Sequence, residues 1–244
     1  METKLDNPHL IRDLLLVALT VSCGAVDALS FLGLGKVFSA FMTGNLAFLG
    51  FRLGGAPGPS VPRVLAATVA WALGAFLAAR IVRRTHGSDS AWPGPAIVSL
   101  TVSLVFQIAF LAVWVAVTGH PSAGCGDVLI ALSGFAMGMQ FATAFSLGVR
   151  ADFTTAATAT LAVLMGDLAG WSQTSPERRR LAGTILGLIV GAVIGGVLFV
   201  HARTWVPVFP LVVTCLVIIA AAVAFERHLP VRRAAVGSRP VSTT

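Results

Sequence analysis

The residues best suited to chemistry stand in one apolar stretch, residues 24–50, which reads GAVDALSFLGLGKVFSAFMTGNLAFLG. Asp27 is an acid among mostly apolar residues, and a carboxylate inside a membrane segment marks a functional site by default. It is interpreted as a group that carries a proton, binds a cation or caps a broken backbone. The structural alternative is a hydrogen bond to a neighbouring hydroxyl or amide near the outer end of its helix.

The sequence Thr43-Gly44-Asn45 in the same stretch predicts a break in the chain. Glycine permits an unusual backbone conformation, and threonine or asparagine can cap a helix that begins at Leu46. A helix amino terminus offers N–H groups and a positive dipole to a ligand. The functional interpretation is a cavity for a solute or an ion. The alternative is a kink whose polar groups are satisfied by neighbouring helices.

The composition is that of a membrane protein. Of 244 residues, 56% are hydrophobic and 11% charged, whereas about a quarter of a soluble domain is charged. The net charge of +7 comes from short arginine clusters between apolar runs, which is typical of cytoplasmic loops. The expected partner is therefore the lipid bilayer and not nucleic acid. The sequence has no phosphate-binding loop, nucleophile elbow or Cys/His cluster, so no enzyme activity, cofactor or metal is expected.

Eight apolar segments follow one another, and six are long enough to span about 30 Å of hydrocarbon. The other two, residues 37–51 and 153–171, are short or interrupted, the first of them at Gly44. The basic residues 227–244 are predicted to form a disordered cytoplasmic tail. The six long segments are residues 11–34, 61–82, 96–118, 128–149, 181–200 and 205–225.

The second half of the chain repeats the first weakly. Asp27 aligns with Gln140, and after a two-residue slip Thr43-Gly44-Asn45 aligns with Thr158-Ala159-Thr160. Gln140 is therefore placed opposite Asp27, and a cavity lined by both breaks is expected. The alternative for Gln140 is ordinary hydrogen bonding between helices, which is also the interpretation favoured for Gln107.

Small residues recur at every fourth position in the helix that follows each break. Such stripes let membrane helices approach closely. They predict a packing face, either within the chain or between the protomers of a homo-oligomer. The first stripe is Ala66, Ala70, Gly74 and Ala78, and the second is Gly183, Gly187, Gly191 and Gly195.

The arginines and lysines favour six crossings over eight. If the two short segments enter and leave on one side, 13 of the 17 basic residues lie inside and 4 outside; eight crossings give a weaker bias. Both termini are then cytoplasmic. The halves, residues 10–118 and 127–226, each cross three times in opposite orientations, which is a recurrent plan among transporters.

The elements VDALSF, VFSAFMTGNLAFLG and GMQFATAF resemble the YoaK-like family of bacterial multi-pass membrane proteins over nearly the whole chain. The sequence departs from that family at Phe141, where asparagine is common, and at Ala159, where glycine is common. The resemblance implies a six-helix membrane protein and no particular activity. The positions that match the family pattern are Asp27, Phe38, Thr43, Gly44, Asn45, Gly138, Gln140, Thr154, Thr155, Thr158 and Thr160.

Together these features predict an all-α, polytopic transmembrane bundle of two homologous, inverted three-crossing repeats, each with a short broken or re-entrant helix. The expected location is the bacterial inner membrane. The hypothesis for function is a small-solute secondary transporter or permease, proton-coupled through Asp27. The alternative is a non-transporting scaffold or assembly component. A channel is less favoured, because no ring of charges or filter-like repeat is present in the sequence.

Overall fold

A computed structural model describes residues 8–83, 92–147, 156–170 and 175–226. The predicted tail, residues 227–244, lies outside this part of the chain. The described residues form helices and no β-strand, which confirms the predicted all-α class. The helices are α1 (Pro8–Gly33), α2 (Met42–Leu53), α3 (Val61–Val82), α4 (Gly94–Ala116), α5 (Ala123–Ser146), α6 (Ala156–Leu168), α7 (Ser175–His201) and α8 (Val208–Glu226), with a 3-10 turn at Arg203–Trp205 before α8.

Within the described ranges, six helices are long and apolar enough to cross a membrane: α1, α3, α4, α5, α7 and α8. The helices α2 and α6 have 12 and 13 residues, which makes them about 20 Å long, too short to cross. The outer surfaces of the long helices are apolar. Phe76 of α3 is 60% exposed and Leu186 of α7 is 61% exposed. Such a surface is stable in contact with lipid rather than water.

Arg63, at the start of α3, links this helix to the end of α1 and to the start of α5. Its guanidinium donates to the carbonyl oxygen of Leu34, just after α1, at 3.3 Å, and to that of Ala123 at 2.9 Å. It also pairs with Asp127 of α5 at 2.6 Å. The end of α1 and the starts of α3 and α5 therefore lie on one side of the bundle, called here the Arg63 face. Because α2 lies between α1 and α3, it enters and leaves on that face and does not cross.

Two pairs of parallel helices form the largest helix–helix contacts, α1 with α7 and α3 with α5. Along α7, Gly183 lies against Val17, and Gly195 lies against Ala25, so both helices run the same way. Gly134 and Gly138 of α5 lie in the same manner against Ala67 and Trp71 of α3. Hence α5 ends, and α7 begins, on the face opposite Arg63. The connection through α6 also starts and ends on one face.

The second small-residue stripe is used inside the chain. A Cβ atom added to Gly191 would overlap the carbonyl oxygen of Val21, and one added to Gly195 would lie 2.7 Å from the carbonyl oxygen of Ala25. Gly187 packs on α1 as well. Since α1 covers this stripe, it is not a surface on which protomers could meet.

Only part of the first stripe packs on α5. Gly74 lies against the backbone of Phe135, and Ala78 is buried. Ala66 and Ala70 are only half-buried. At the level of these two residues, the close contacts with Gly134 and Gly138 of α5 are made by Ala67 and Trp71, one position further along. A strict four-residue spacing drifts by about 40° per step around a helix of 3.6 residues per turn, so a straight stripe cannot keep one face throughout.

The topology predicts which positions share a face. In a variant whose native cysteines are replaced, cysteines introduced at Leu53 and Ser122 should react with a membrane-impermeant maleimide from one side. Cysteines at Arg83 and Arg179 should react from the other. All four positions are exposed. Labelling of positions 53 and 122 from opposite sides of sealed vesicles would show that α2 crosses the membrane and would contradict this topology.

Candidate functional site

The connection between α1 and α2, residues 34–41, turns back into the bundle. Gly35 and Lys36 have φ values of 88° and 63°, a left-handed conformation that reverses the chain and suits glycine best. Ala40 then packs in one cluster with Cys23 and Val26 of α1. Ala40 bonds to Asp27, six residues from the end of α1 at Gly33, and Ser39 bonds to Ser133, ten residues from the start of α5, so the loop descends about 9–15 Å below the Arg63 face. The start of α2 is therefore near the middle of the membrane.

Asp27 holds this re-entrant loop in place. Its Oδ1 accepts hydrogen bonds from the backbone N–H groups of Ser39 at 3.0 Å and Ala40 at 2.8 Å. Asp27 is 8% exposed. Its carboxylate lies at the amino terminus of α2, where a negative charge interacts favourably with the positive end of the helix dipole. Of the roles considered for Asp27, the geometry matches the cap of a broken backbone.

Asn45 fixes the same loop from within α2. Its side-chain amide donates to the carbonyl oxygen of Phe38 at 2.7 Å, and its Oδ1 accepts from the N–H of Phe38 at 2.9 Å. This pair satisfies both backbone groups of Phe38 at a depth where water is absent. Asn45 is fully buried. It is thus committed to the chain's own backbone and not to a ligand.

The break was predicted at Gly44, but it lies earlier, in residues 34–41. Gly44 is in the first turn of α2, which begins at Met42 rather than Leu46, and its φ is not in the left-handed region. A Cβ atom at Gly44 would lie 2.7 Å from the ring of Phe41 and 3.0 Å from that of Phe38. The glycine is therefore needed for space. Thr43 is exposed and caps nothing.

The loop is joined to the second half of the chain by a pair of hydroxyl groups. Ser133 of α5 donates to the Oγ of Ser39 at 2.8 Å, and both residues are buried. Ser39 thus connects Asp27, through its N–H, with α5, through its hydroxyl. Sequence reasoning missed Ser39 and Ser133, because serine is common in membrane helices and neither position has a distinctive spacing.

Gln140, which was predicted to lie opposite Asp27, contacts α1 at a different place. Gln140 is buried and donates to the carbonyl oxygen of Leu19, in the middle of α1, at 3.2 Å. Thr158 is exposed, whereas Thr160 is fully buried. Thr154 and Thr155 lie outside the described residues. Within the described part of the chain, Gln140 makes a contact between helices, as in the alternative interpretation.

The packing of the helices gives an offset between the two halves that differs by one residue from the offset used in the sequence alignment. Gly24 lies against the backbone of Leu188 in the way that Gly138 lies against Trp71. This pairs positions 24 and 138, a difference of 114, whereas aligning Asp27 with Gln140 uses a difference of 113. By helix position, Phe141 is the counterpart of Asp27. The carboxylate therefore has an aromatic rather than a polar counterpart.

A second polar cluster joins α4, α5 and α8. Gln107 of α4 donates to Ser103 at 3.4 Å and to Thr214 of α8 at 3.2 Å. Ser103 donates in turn to the carbonyl oxygen of Ala136 in α5 at 2.8 Å. All three side chains are buried. The predicted interhelical role of Gln107 therefore agrees with its contacts, and the cluster borders a small cavity described below.

The comparisons with known proteins agree with this architecture. The family model described as "Protein of unknown function (DUF1275)" matches residues 15–222. The chain is 30% identical over 207 residues to the UPF0700 transmembrane protein YoaK of Bacillus subtilis (strain 168), covering 81% of this chain and 89% of that protein. No solved structure matches. The chain belongs to the DUF1275 family of YoaK-like transmembrane proteins.

Proposed function

We propose that this protein is a secondary transporter for a small solute in the bacterial inner membrane, with both termini in the cytoplasm. The observation that carries the proposal is the re-entrant loop, which brings the start of α2 to about mid-membrane. Irregular backbone at this depth is tolerated only where protein buries it or where it borders a wet cavity. Asp27 and Asn45 both hold the loop there through hydrogen bonds to its backbone. A bundle that only anchored other proteins would not need it.

The arrangement of the two halves supports the same proposal. Exchanging the first four helices for the last four turns each major contact into another: α1–α7 into α3–α5, α1–α8 into α4–α5, and α2–α3 into α6–α7. The equivalent helices run in opposite directions. Inverted halves of this kind move against each other in transporters, with the site at midplane between them. The distribution of basic residues, 13 inside and 4 outside, favours the orientation with both termini in the cytoplasm.

A covalent link tests whether the halves must move. The Oγ atoms of Ser39 and Ser133 are 2.8 Å apart, so a Ser39→Cys, Ser133→Cys variant without the native cysteines has side chains close enough to form a disulfide. We expect solute uptake into proteoliposomes by the reduced variant, a loss of uptake on oxidation, and recovery with dithiothreitol. The Ser39→Cys single variant is the control for the oxidant. Uptake that continues when the cross-link is complete would contradict the proposal.

A scaffold or assembly role is the second candidate, because one specific observation favours it. The polar side chains that were expected to line a cavity are hydrogen-bonded to the backbone instead. Asp27 bonds to Ser39 and Ala40, and Asn45 bonds to Phe38. In this case the protein should co-purify with a membrane partner, and proteoliposomes should take up no solute above the protein-free rate. Coupling to protons depends on the charge of Asp27, so normal coupling in Asp27→Asn would exclude that residue from it.

A further inference from the structure

A small cavity lies where the two halves meet. It is bounded by Val26 of α1, Phe110 of α4, Met137 of α5 and Pro210 of α8, and it has a volume of about 20 Å³. This is room for roughly one water molecule. Each half thus supplies two of the four surrounding helices. Polar side chains reach the cavity from two of them, Gln107 of α4 and Ser133 of α5.

The cavity lies deep in the membrane. Gln107 is nine residues before the end of α4 at Ala116, and Ser133 is ten residues after the start of α5 at Ala123. At 1.5 Å per residue, both are about 14–15 Å from the Arg63 face, or about half the hydrocarbon thickness. Bulk water does not reach this depth, so a polar group there needs a partner within the protein or a bound molecule.

The neighbours of Gln107 decide how its amide is oriented. The hydroxyl of Ser103 donates to the carbonyl oxygen of Ala136 at 2.8 Å, and that of Thr214 donates to the carbonyl oxygen of Pro210 at 2.9 Å. Both hydroxyls therefore present only lone pairs to Gln107, and the amide NH2 must face them. This leaves Oε1 with no partner, although the side chain is only 7% exposed.

Ser133 presents the same kind of group to the cavity. Its hydroxyl hydrogen is used in the bond to Ser39 at 2.8 Å, so its remaining capacity is that of an acceptor. The rest of the lining is apolar, and Pro207 and Pro210 have no N–H group. The described lining therefore offers hydrogen-bond acceptors and no free donor.

We propose that this cavity is a binding site for a hydrogen-bond donor: a single water in this conformation, and a hydroxyl or amino group of the solute during transport. The second part rests on the proposed function, whereas the first does not. Carboxylates and phosphates are excluded, because they need donors that the cavity lacks. The amino terminus of α2, which would also suit an anion, is already occupied by the Asp27 carboxylate.

An experimental structure of the full chain in lipid nanodiscs, at a resolution that orders internal waters, tests the site. We expect density within hydrogen-bonding distance of Gln107 Oε1 and Ser133 Oγ, and its loss in Gln107→Met. Ser99→Ala, which removes a buried hydroxyl from the same helix away from the cavity, should retain it. An ordered Gln107 with no such density, or with Oε1 bonded to a protein group, would overturn the site. The wild-type map decides this even if the variants do not fold.

Uptake by proteoliposomes tests the solute class, with glycerol and urea as donor-bearing probes and formate and phosphate as anions. We expect the protein to accelerate entry of a donor-bearing probe and not of the anions, with a roughly tenfold loss in Gln107→Met, the effect of one hydrogen bond, and none in Ser99→Ala. Equal uptake by native protein and Gln107→Met, or uptake of the anions, would overturn the assigned solute class but leave the proposed transport function intact. If the water is bound but no probe is taken up, the proposed transport function would be overturned and the water site would remain.

Discussion

Replacing Asp27 with alanine is expected to unfold the re-entrant loop and to lower the free energy of unfolding by about 2–6 kcal/mol, since each of two buried amides loses its acceptor at about 1–3 kcal/mol. The affected amides are those of Ser39 and Ala40, which both donate to Oδ1. A loss of this size is a large part of the stability of an ordinary domain. Thermal unfolding in detergent, followed by tryptophan fluorescence and by the monodisperse fraction in size-exclusion chromatography, measures it.

Two other variants show whether the loss comes from the hydrogen bonds. Asp27→Asn keeps an oxygen that can accept from both amides, so it should be much more stable than Asp27→Ala. Thr43→Ala changes an exposed side chain of α2 and should stay within about 0.5 kcal/mol of the native protein. If Asp27→Ala were as stable as Thr43→Ala, the carboxylate would not be the group that holds the loop.

Replacing Gly191 with alanine is expected to force α1 and α7 apart. The added methyl group would overlap the carbonyl oxygen of Val21, which is part of the α1 backbone and cannot rotate away. Overpacking of this kind costs about 1–3 kcal/mol or more. We therefore expect a lower melting temperature in detergent and a smaller yield of folded protein.

Gly196 provides a matched control five residues along the same helix. A Cβ atom at this position meets no atom within 4 Å, so Gly196→Ala should be neutral, or stabilising by up to about 1 kcal/mol through helix propensity. The comparison keeps the substitution and the helix constant and varies only the contact with α1. Equal melting temperatures for the two variants would show that α1 and α7 do not pack through Gly191.

Much of the fold can be predicted from the residues, because membrane insertion imposes simple constraints. An apolar run must reach about 20 residues to span the hydrocarbon. The positions of the long runs matched α1, α3, α4, α5, α7 and α8 within a few residues at most ends. The basic residues favoured six crossings, and the contact of Arg63 with Leu34 gives the same path for α2.

The details of the site depended on contacts between distant residues. The predicted break at Gly44 was wrong by several residues, because local rules associate glycine with a bend, whereas here it makes space for the rings of Phe38 and Phe41. The expectation that Gln140 opposes Asp27 depended on an alignment that differs by one residue from the packing of Gly24 and Gly138. A shift of one residue turns a helical side chain by about 100°.

The sequence by itself therefore determined the class of protein, the long helices, the unusual character of residues 24–50 and the importance of Asp27 and Asn45. Only the tertiary structure decided what these side chains do. A buried carboxylate can bind a proton, a cation or the backbone, and the choice depends on which donor comes within about 3 Å. For Asp27 the donors are the amides of Ser39 and Ala40, brought there by a turn at Gly35 and Lys36. Among the described residues, Gln107 of α4 keeps an unpaired acceptor at the cavity, because its amide NH2 is held by Ser103 of the same helix and by Thr214 of α8, which is far along the chain.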